Sequence, residues 1–215
     1  MSNELIKPPT TPLATPGTEQ TGESNFNVTN QAGGFLTINY QLPPKNTSSS
    51  AEQMMAIMSF SREYYQLIVT MEEDVFSTGT VTISANSALT EKQVPEEIFE
   101  RCSALTEEGI AELKKIPAII CRENTDYHGN TDPEQKAVYA YIKKIRKERS
   151  VIKVVFEPIR PFFQYKLCEK RSAVFFDLDM ECALTDLNQT GWSVHKVNLF
   201  EAFDEAGLTD MPRPY

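Results

Sequence analysis

The chain has 215 residues, 40% of them hydrophobic, and carries a formal net charge of −9 at pH 7. This length can bury one good core, so we expect a single globular domain. The negative charge disfavours general affinity for nucleic acid or for an anionic membrane, because both require a basic field. The first residues lack the apolar segment of a secretory signal, and a cytoplasmic location is therefore expected.

The N-terminal segment divides into a tail and an arm. Residues 1–24 are rich in Pro, Thr, Gly and Glu, which predicts a disordered tail. Apolar and polar residues then alternate on both sides of Gly33 and Gly34, which predicts a β-hairpin arm and linker over residues 25–49. A lone hairpin is marginally stable in water, so its apolar face should bind a protein partner or a second copy of the chain. The predicted partner-binding residues are Phe26, Val28, Leu36, Ile38, Tyr40 and Leu42.

A globular domain is predicted over residues 50–215, and it begins with a helix. Ser50 and Gln53 form a predicted capping box. Apolar and aromatic residues then recur at three- and four-residue steps through Met71, which predicts a long amphipathic helix.

The remaining predicted elements alternate between strands and helices. In chain order they are a hairpin over 76–84, helices beginning at Pro95 and Thr106, a strand over 118–121, a helix that begins at Pro133 and ends in the segment 143–149, a strand over 151–159, a helix over 160–171, a strand over 173–178 and a helix capped by Ser193. Together they predict an α+β fold with a small three-layer α/β core and a short mixed sheet, in addition to the arm and the long helix.

The apolar run that ends in Asp177 and Asp179 is similar to the nucleophile motif of haloacid-dehalogenase phosphotransferases. In that chemistry the loop after the strand supplies a small residue and a hydroxyl that bind phosphate. Here Met180 and Glu181 stand at those positions, and the Glu181 carboxylate would repel a phosphate. The sequence therefore predicts no phosphotransferase activity at Asp177.

A polar loop follows the predicted strand at residues 118–121, where α/β folds commonly place ligands. Its candidate site residues are Arg122, Glu123, Asp126 and His128. The other histidine is His195, and both histidines are interpreted as structural or solvated. No serine lies in a nucleophile-elbow motif, and the four cysteines lack the close spacing of a zinc or redox site. No metal or cofactor is predicted.

A local basic segment lies at the end of the helix predicted from Pro133. Its cations are Lys143, Lys144, Arg146 and Lys147. They complement the negative end of a helix, so a solvated helix face is the simpler interpretation, and contact with phosphates is the functional alternative.

The sequence as a whole favours a non-enzymatic interaction or regulatory module that binds a partner through its arm. Two alternatives remain open. One is a nucleic-acid-binding protein that uses the basic segment at 143–149, and the other is a metal-dependent enzyme of nuclease or phosphotransferase type. Neither a cofactor nor a membrane is part of these expectations.

Overall fold

The computed structural model describes residues 50–215, which fold around one six-stranded sheet. The strands are β1 (Tyr65–Thr70), β2 (Thr80–Ser84), β3 (Ala118–Arg122), β4 (Lys136–Glu148), β5 (Val151–Phe163) and β6 (Gly191–His195). Their order across the sheet is β2-β5-β4-β3-β1-β6. Strands β1 and β3 are parallel, and the other neighbouring pairs are antiparallel. The predicted α+β class and its mixed sheet are therefore confirmed.

Helices cover both faces of this sheet. They are α1 (Ser50–Met58), α2 (Val75–Thr78), α3 (Glu96–Cys102), α4 (Glu107–Leu113), α5 (Tyr165–Cys168), α6 (Lys170–Phe175) and α7 (Leu199–Glu205). Helices α3 and α4 contribute buried residues to a first apolar core on one face. Helices α1, α5, α6 and α7 pack in a second core on the other face. All six residues of β1 are buried, as expected for a strand covered on both sides.

The second core is organised around Phe203 of α7. Its ring packs edge-on against Tyr139 of β4, Phe162 of β5 and Phe176 after α6, with centroid distances of 5.4, 5.8 and 6.0 Å. Edge-to-face geometry is favourable for aromatic rings beyond the area that they bury. These contacts fix the chain that follows α6 against the sheet.

A buried amide links β6 to the rest of the molecule. Gln66 of β1 accepts a hydrogen bond from the Trp192 indole at 3.1 Å and donates to the carbonyls of Leu113 and Ile116 at 2.9 and 2.7 Å. The outer side of β6 is covered as well, because the Val194 amide donates to the Gln93 carbonyl at 3.0 Å. Strand β6 is thus held firmly on both of its sides.

Two predicted helices are wrong, for the same reason. The long amphipathic helix ends at Met58, and Tyr65–Thr70 is strand β1. The helix predicted from Pro133 is strand β4, in which the six residues 137–142 are all buried. A strand buried on both faces loses its polar alternation, so its apolar residues also match helical spacing.

Other predicted elements have mixed outcomes. The strand at 118–121, the strand over 151–159 and the two short helices are confirmed, and Thr106 caps α4 by accepting from the Gly109 amide at 3.2 Å. The hairpin over 76–84 is wrong, because β2 pairs with β5 after a helical turn that ends at Gly79. The strand predicted over 173–178 is helix α6 and the turn after it.

The predicted helix over 160–171 begins too early, because β5 continues to Phe163. Ser193 does not cap a helix. It lies in β6, and α7 is capped by Asn198, whose side chain accepts from the Phe200 amide at 3.2 Å. Among residues 50–215, no helix has the length and apolar character needed to cross a membrane.

Candidate functional site

An open cleft of about 730 Å³ lies beside strand β6. Leu67 and Val69 of β1 line it together with all five residues of β6. The chain after α6 forms one wall, the segment 184–189 forms another, and residues 92–95 close the side beyond β6. Three separate parts of the sequence therefore meet around this space.

Alternation along β6 places two polar side chains in the cleft. Trp192 and Val194 point into the first core, whereas Ser193 and His195 lie on the opposite face and line the cleft. Ser193 Oγ and His195 Nε2 are 2.9 Å apart. A hydroxyl is thus in direct hydrogen-bonding contact with an imidazole that could act as its base.

The other nitrogen of the same imidazole faces a carboxylate. His195 Nδ1 lies 3.6 Å from Asp177 Oδ2, and this contact lowers the pKa of the Asp177 carboxyl below its usual value of 3.8. A carboxylate beside Nδ1 favours the tautomer with the proton on Nδ1, which leaves Nε2 free to accept from Ser193. Asp177 adopts a positive φ of 54°, a conformation that non-glycine residues adopt at an energetic cost and that is concentrated at functional sites.

Tyr65 of β1 supports both members of this contact. Its ring stacks on the His195 ring with a centroid distance of 4.9 Å and an interplanar angle of 17°. Its hydroxyl donates to the carbonyl of Phe176, the residue before Asp177, at 2.6 Å. Burial raises the pKa of this phenol well above 10, so it remains a neutral donor. One side chain therefore sets the position of the imidazole and of the turn that carries the carboxylate.

A side-chain amide lies at the edge of the cleft. Gln93 Oε1 accepts from the Thr90 hydroxyl at 2.8 Å, which directs its Nε2 toward Gly191. A Cβ on Gly191 would come within 3.3 Å of this nitrogen and 3.1 Å of the Ser87 carbonyl oxygen. A glycine at this position therefore leaves room for an oriented N–H donor two residues before Ser193.

The predicted polar loop lies next to the cleft wall and supports it. The Glu123 carboxylate accepts from Thr190 Oγ1 at 2.6 Å, and the Asp126 carbonyl accepts from the Asn188 side chain at 2.9 Å. The backbone amide of His128 donates to the Ala183 carbonyl at 2.8 Å. These contacts hold the segment 183–190 in place, which is a structural role for the loop.

Two of the predicted loop residues have further surroundings. The carbonyl of Arg122 accepts from the side chains of Gln135 and Gln164 at 3.3 and 2.6 Å. His128 lines a second cavity of about 750 Å³, which Lys170 and Met180 also line. Neither residue reaches the contact between Ser193 and His195.

The predicted basic residues lie at the opposite end of the sheet, in strand β4 instead of a helix. The helix-end interpretation of these cations is therefore wrong. The predicted arm residues, from Phe26 to Leu42, lie outside the described residues, and the partner hypothesis built on them stays a prediction. In the part of the chain that the structure describes, no group of three or more His, Cys, Asp or Glu side chains could hold a metal ion.

Ser193 is the site residue that sequence reasoning missed. The segment Gly191–His195 has one detectable signal, because Trp192 and Val194 alternate with Ser193 and His195 as in a strand with one buried face. A helix that begins at Ser193 is incompatible with this strand-like alternation. No sequence pattern links Asp177 to His195, because their contact depends on the turn after α6.

Comparisons with known proteins give no relative for this chain. No protein-family model matches it, and neither a curated protein nor a solved structure does. The chemistry of the cleft is therefore the basis for the functional inference.

Proposed function

We propose that the protein is a serine-dependent acyl hydrolase, with Ser193 as the nucleophile and a carboxylic ester or amide as the substrate. The observation that carries this proposal is the series of contacts from Ser193 Oγ to His195 Nε2 and from His195 Nδ1 to Asp177, at 2.9 and 3.6 Å. Nucleophile, base and orienting carboxylate are recognised by this geometry and not by their order in the chain.

The reaction follows from the positions of these three groups. His195 Nε2 takes the proton of the Ser193 hydroxyl as Oγ attacks the substrate carbonyl carbon. The protonated imidazole then gives this proton to the leaving alcohol or amine, and the acyl group remains on Oγ. A water molecule then gives a proton to the same nitrogen as its oxygen attacks the acyl carbon. The bond from this carbon to Oγ breaks, the acid is released, and His195 Nε2 returns the proton to Ser193 Oγ.

Asp177 and Tyr65 position the imidazole in this scheme. The Asp177 carboxylate stabilises the positive charge that develops on His195, and the stacked Tyr65 ring fixes the plane of the imidazole. The contact of 3.6 Å with the carboxylate is long for a hydrogen bond. Such contacts in ligand-free sites commonly shorten when substrate binds.

The Gln93 amide is the donor that best fits the developing oxyanion. Its Nε2 is oriented by Thr90 and lies at the cleft edge beside Gly191. A preorganised donor of this kind typically contributes a factor of about 10² to 10³ in kcat. We expect Gln93→Ala to lower kcat more than it raises KM.

The rim of the cleft indicates an apolar acyl group. Val174 and Leu184 line the cleft and are 75% and 51% exposed, which is unusual for large apolar side chains. Carboxylates from Asp179 and Asp186 lie on the same side, and Asp186 accepts from the Asp179 amide at 2.9 Å. Lys92 and Lys196 also line the cleft, so its charges are mixed and do not select the charge of the substrate. The apolar rim therefore favours an ester with an apolar acyl chain.

The proposal is tested with nitrophenyl esters of increasing acyl length and with a fluorophosphonate probe. We expect hydrolysis with an initial burst, and a covalent adduct that peptide mass spectrometry places on Ser193. Ser193→Ala should abolish both the burst and the adduct. His195→Ala and Asp177→Asn should lower kcat by about 10² to 10⁴.

Matched controls come from the same chain. Ser150→Ala removes an exposed serine in the turn between β4 and β5, and His128→Ala removes the other histidine. Both variants should keep full activity. If the folded wild-type protein fails to react with the probe, or if ester hydrolysis survives Ser193→Ala, the proposed function is wrong.

A further inference from the structure

The opposite end of the sheet presents a set of cations on one face. In the antiparallel pair of β4 and β5, Ile145 lies opposite Val154, and both are buried. The next residues, Arg146 and Lys153, are also directly opposite each other, point to the other side of the sheet and are exposed. Lys144 lies two residues before Arg146 and is exposed on this same side. We call Lys144, Arg146 and Lys153 the basic face.

Strand β2 extends the basic face with hydroxyl groups. Thr82 lies opposite Lys153 in the register of β2 and β5, and Thr80 lies opposite Val155. Because residues that are paired across a sheet share a face, both threonines lie beside the cations. Val81 and Ile83, which alternate with them, are buried in the first core.

The second core does not reach the basic face. Its residues in β4 end at Tyr141, and neither Lys144 nor Arg146 belongs to it. A register shift between Ile142 and Lys144 sets Lys143 apart, and its Nζ contacts carboxylates of Glu52 and Glu157 at 3.7 and 3.5 Å. Lys143 therefore marks the boundary between the helix-covered sheet and its open end.

The three cations of the basic face are not paired with carboxylates of the described residues. Within residues 50–215, none of its three cations forms an ion pair. Like charges directly opposite each other on neighbouring strands destabilise a sheet, and Arg146 faces Lys153 in this way. Two acids lie near this face. Glu148 is paired with Val151 farther toward the turn, and the Glu72 carboxylate accepts from the backbone amide of Thr82 at 3.2 Å. The arrangement weakens the fold but would favour an anionic ligand.

We infer that the basic face binds the sugar–phosphate backbone of a nucleic acid. Lys and Arg side chains together with Ser or Thr hydroxyls make most protein contacts to phosphates, and this face combines both kinds of donor. Alternate residues of a strand are about 6.8 Å apart and neighbouring strands about 4.8 Å, so the cations can contact successive phosphates. The face carries no aromatic side chain on which bases could stack, which indicates binding without sequence preference.

The basic face differs from the basic segment predicted at 143–149 in some of its residues. Lys147 is paired with Ile152, on the side of the first core, and Lys143 is paired with carboxylates. Lys153 belongs to the basic face although it lies outside the segment 143–149. Only the strand register brings Lys153 beside Arg146.

The test is a titration of the full chain into a labelled oligothymidylate of about 20 nucleotides, followed by fluorescence anisotropy at several salt concentrations. With three phosphate contacts, the logarithm of the affinity should fall with the logarithm of salt concentration with a slope of about −2. The variant Lys144→Gln/Arg146→Gln/Lys153→Gln should lose this salt dependence and bind at least tenfold more weakly at low salt. Random-sequence oligonucleotides should bind with equal affinity.

The control variant is Lys114→Gln/Lys115→Gln/Arg171→Gln, which removes the same charge from exposed positions elsewhere. It should bind as the wild type does, and the melting temperatures of both variants show that they fold. The inference is overturned if the basic-face variant retains wild-type affinity, or if both variants weaken binding equally. It is also overturned if the protein binds phosphatidylserine vesicles through these cations but binds no oligonucleotide.

Discussion

The two ends of the sheet organise polar side chains in opposite ways. At the β6 end, Ser193, His195 and Asp177 contact one another, and Tyr65 fixes two of them from a buried position. At the β2 end, Lys144, Arg146 and Lys153 are exposed and form no ion pair within the described part of the chain. Internal contacts define the first group, whereas strand alternation alone defines the second.

This difference shows how each surface could act. Groups that must move a proton need fixed distances, and burial of the supporting side chains provides them. Groups that bind a flexible polyanion need net charge and regular spacing, and they tolerate mobility. The cleft should therefore respond to substitutions in the core beneath it, and the basic face should respond to its own charges and to salt.

The largest effect on the free energy of unfolding is expected from Tyr65→Phe. Removal of the hydroxyl leaves the buried Phe176 carbonyl without its donor, which should lower the free energy of unfolding by about 1–3 kcal/mol. The same change frees the turn that carries Asp177, so the rate of ester hydrolysis should fall as well. Urea denaturation and esterase assays measure the two effects.

Tyr64→Phe is the matched control. Its hydroxyl donates to the carboxylate of Glu97 at 2.7 Å, and that carboxylate also accepts from Lys196. The partner therefore remains hydrogen-bonded, and the loss of stability should be below about 1 kcal/mol. Equal losses for both tyrosines, or unchanged hydrolysis in Tyr65→Phe, would contradict the positioning role of Tyr65.

A smaller effect of opposite sign is expected from Lys153→Glu. An acid opposite Arg146 replaces a repulsive cross-strand pair by an attractive one, which should raise the free energy of unfolding by about 0.2–1 kcal/mol. Oligonucleotide affinity should fall at the same time. Lys153→Gln removes the repulsion alone, so its stability should lie between wild type and Lys153→Glu. A Glu variant less stable than the Gln variant would show that these side chains do not face each other.

The smallest effect concerns the pH dependence of stability at Asp177. Its pKa is lowered from 3.8 by the contact with His195, so the carboxylate stabilises the fold above that pH and the contribution is lost as pH falls through the lower folded value. The side chain is 72% exposed, and solvent screening keeps the effect small. Asp177→Asn should melt slightly below the wild type near neutral pH, and the two melting curves should converge in acid. A difference that is constant with pH would indicate a steric origin.

Local signals explain which parts of the fold were predictable. Helix α4 follows from its Thr106 cap, and β5 follows from alternation next to polar residues. The sequence predicts helices in place of strands β1 and β4, because long-range packing buries both of their faces and no local pattern reports such packing. Lys144 and Arg146 belong to the predicted basic segment, but the helix predicted there places them on the wrong surface, and Lys153 lies outside that segment.

The candidate site was less predictable, since it depends on two distant contacts. Ser193 and His195 share a face only because β6 is a strand, and β6 is placed by its pairing with β1 and by a hydrogen bond between Trp192 and Gln66, 126 residues apart. Asp177 reaches His195 because its own backbone has a left-handed conformation, and no residue pattern in the sequence predicts that conformation. Single-sequence reasoning finds these residues one at a time but not their convergence.

The pairing of β6 with β1 also determines when the edge of the sheet can form during synthesis of the chain. Domains fold as the ribosome delivers them, and β1 and β3 can pair, with β4 beside them, long before Gly191 to His195 emerge. Until then β1 has an unpaired edge that could pair with another chain, and the cleft lacks the residues that β6 contributes to its lining. The nascent molecule therefore lacks both Ser193 and His195, and the edge of the sheet and the proposed site are completed in one event.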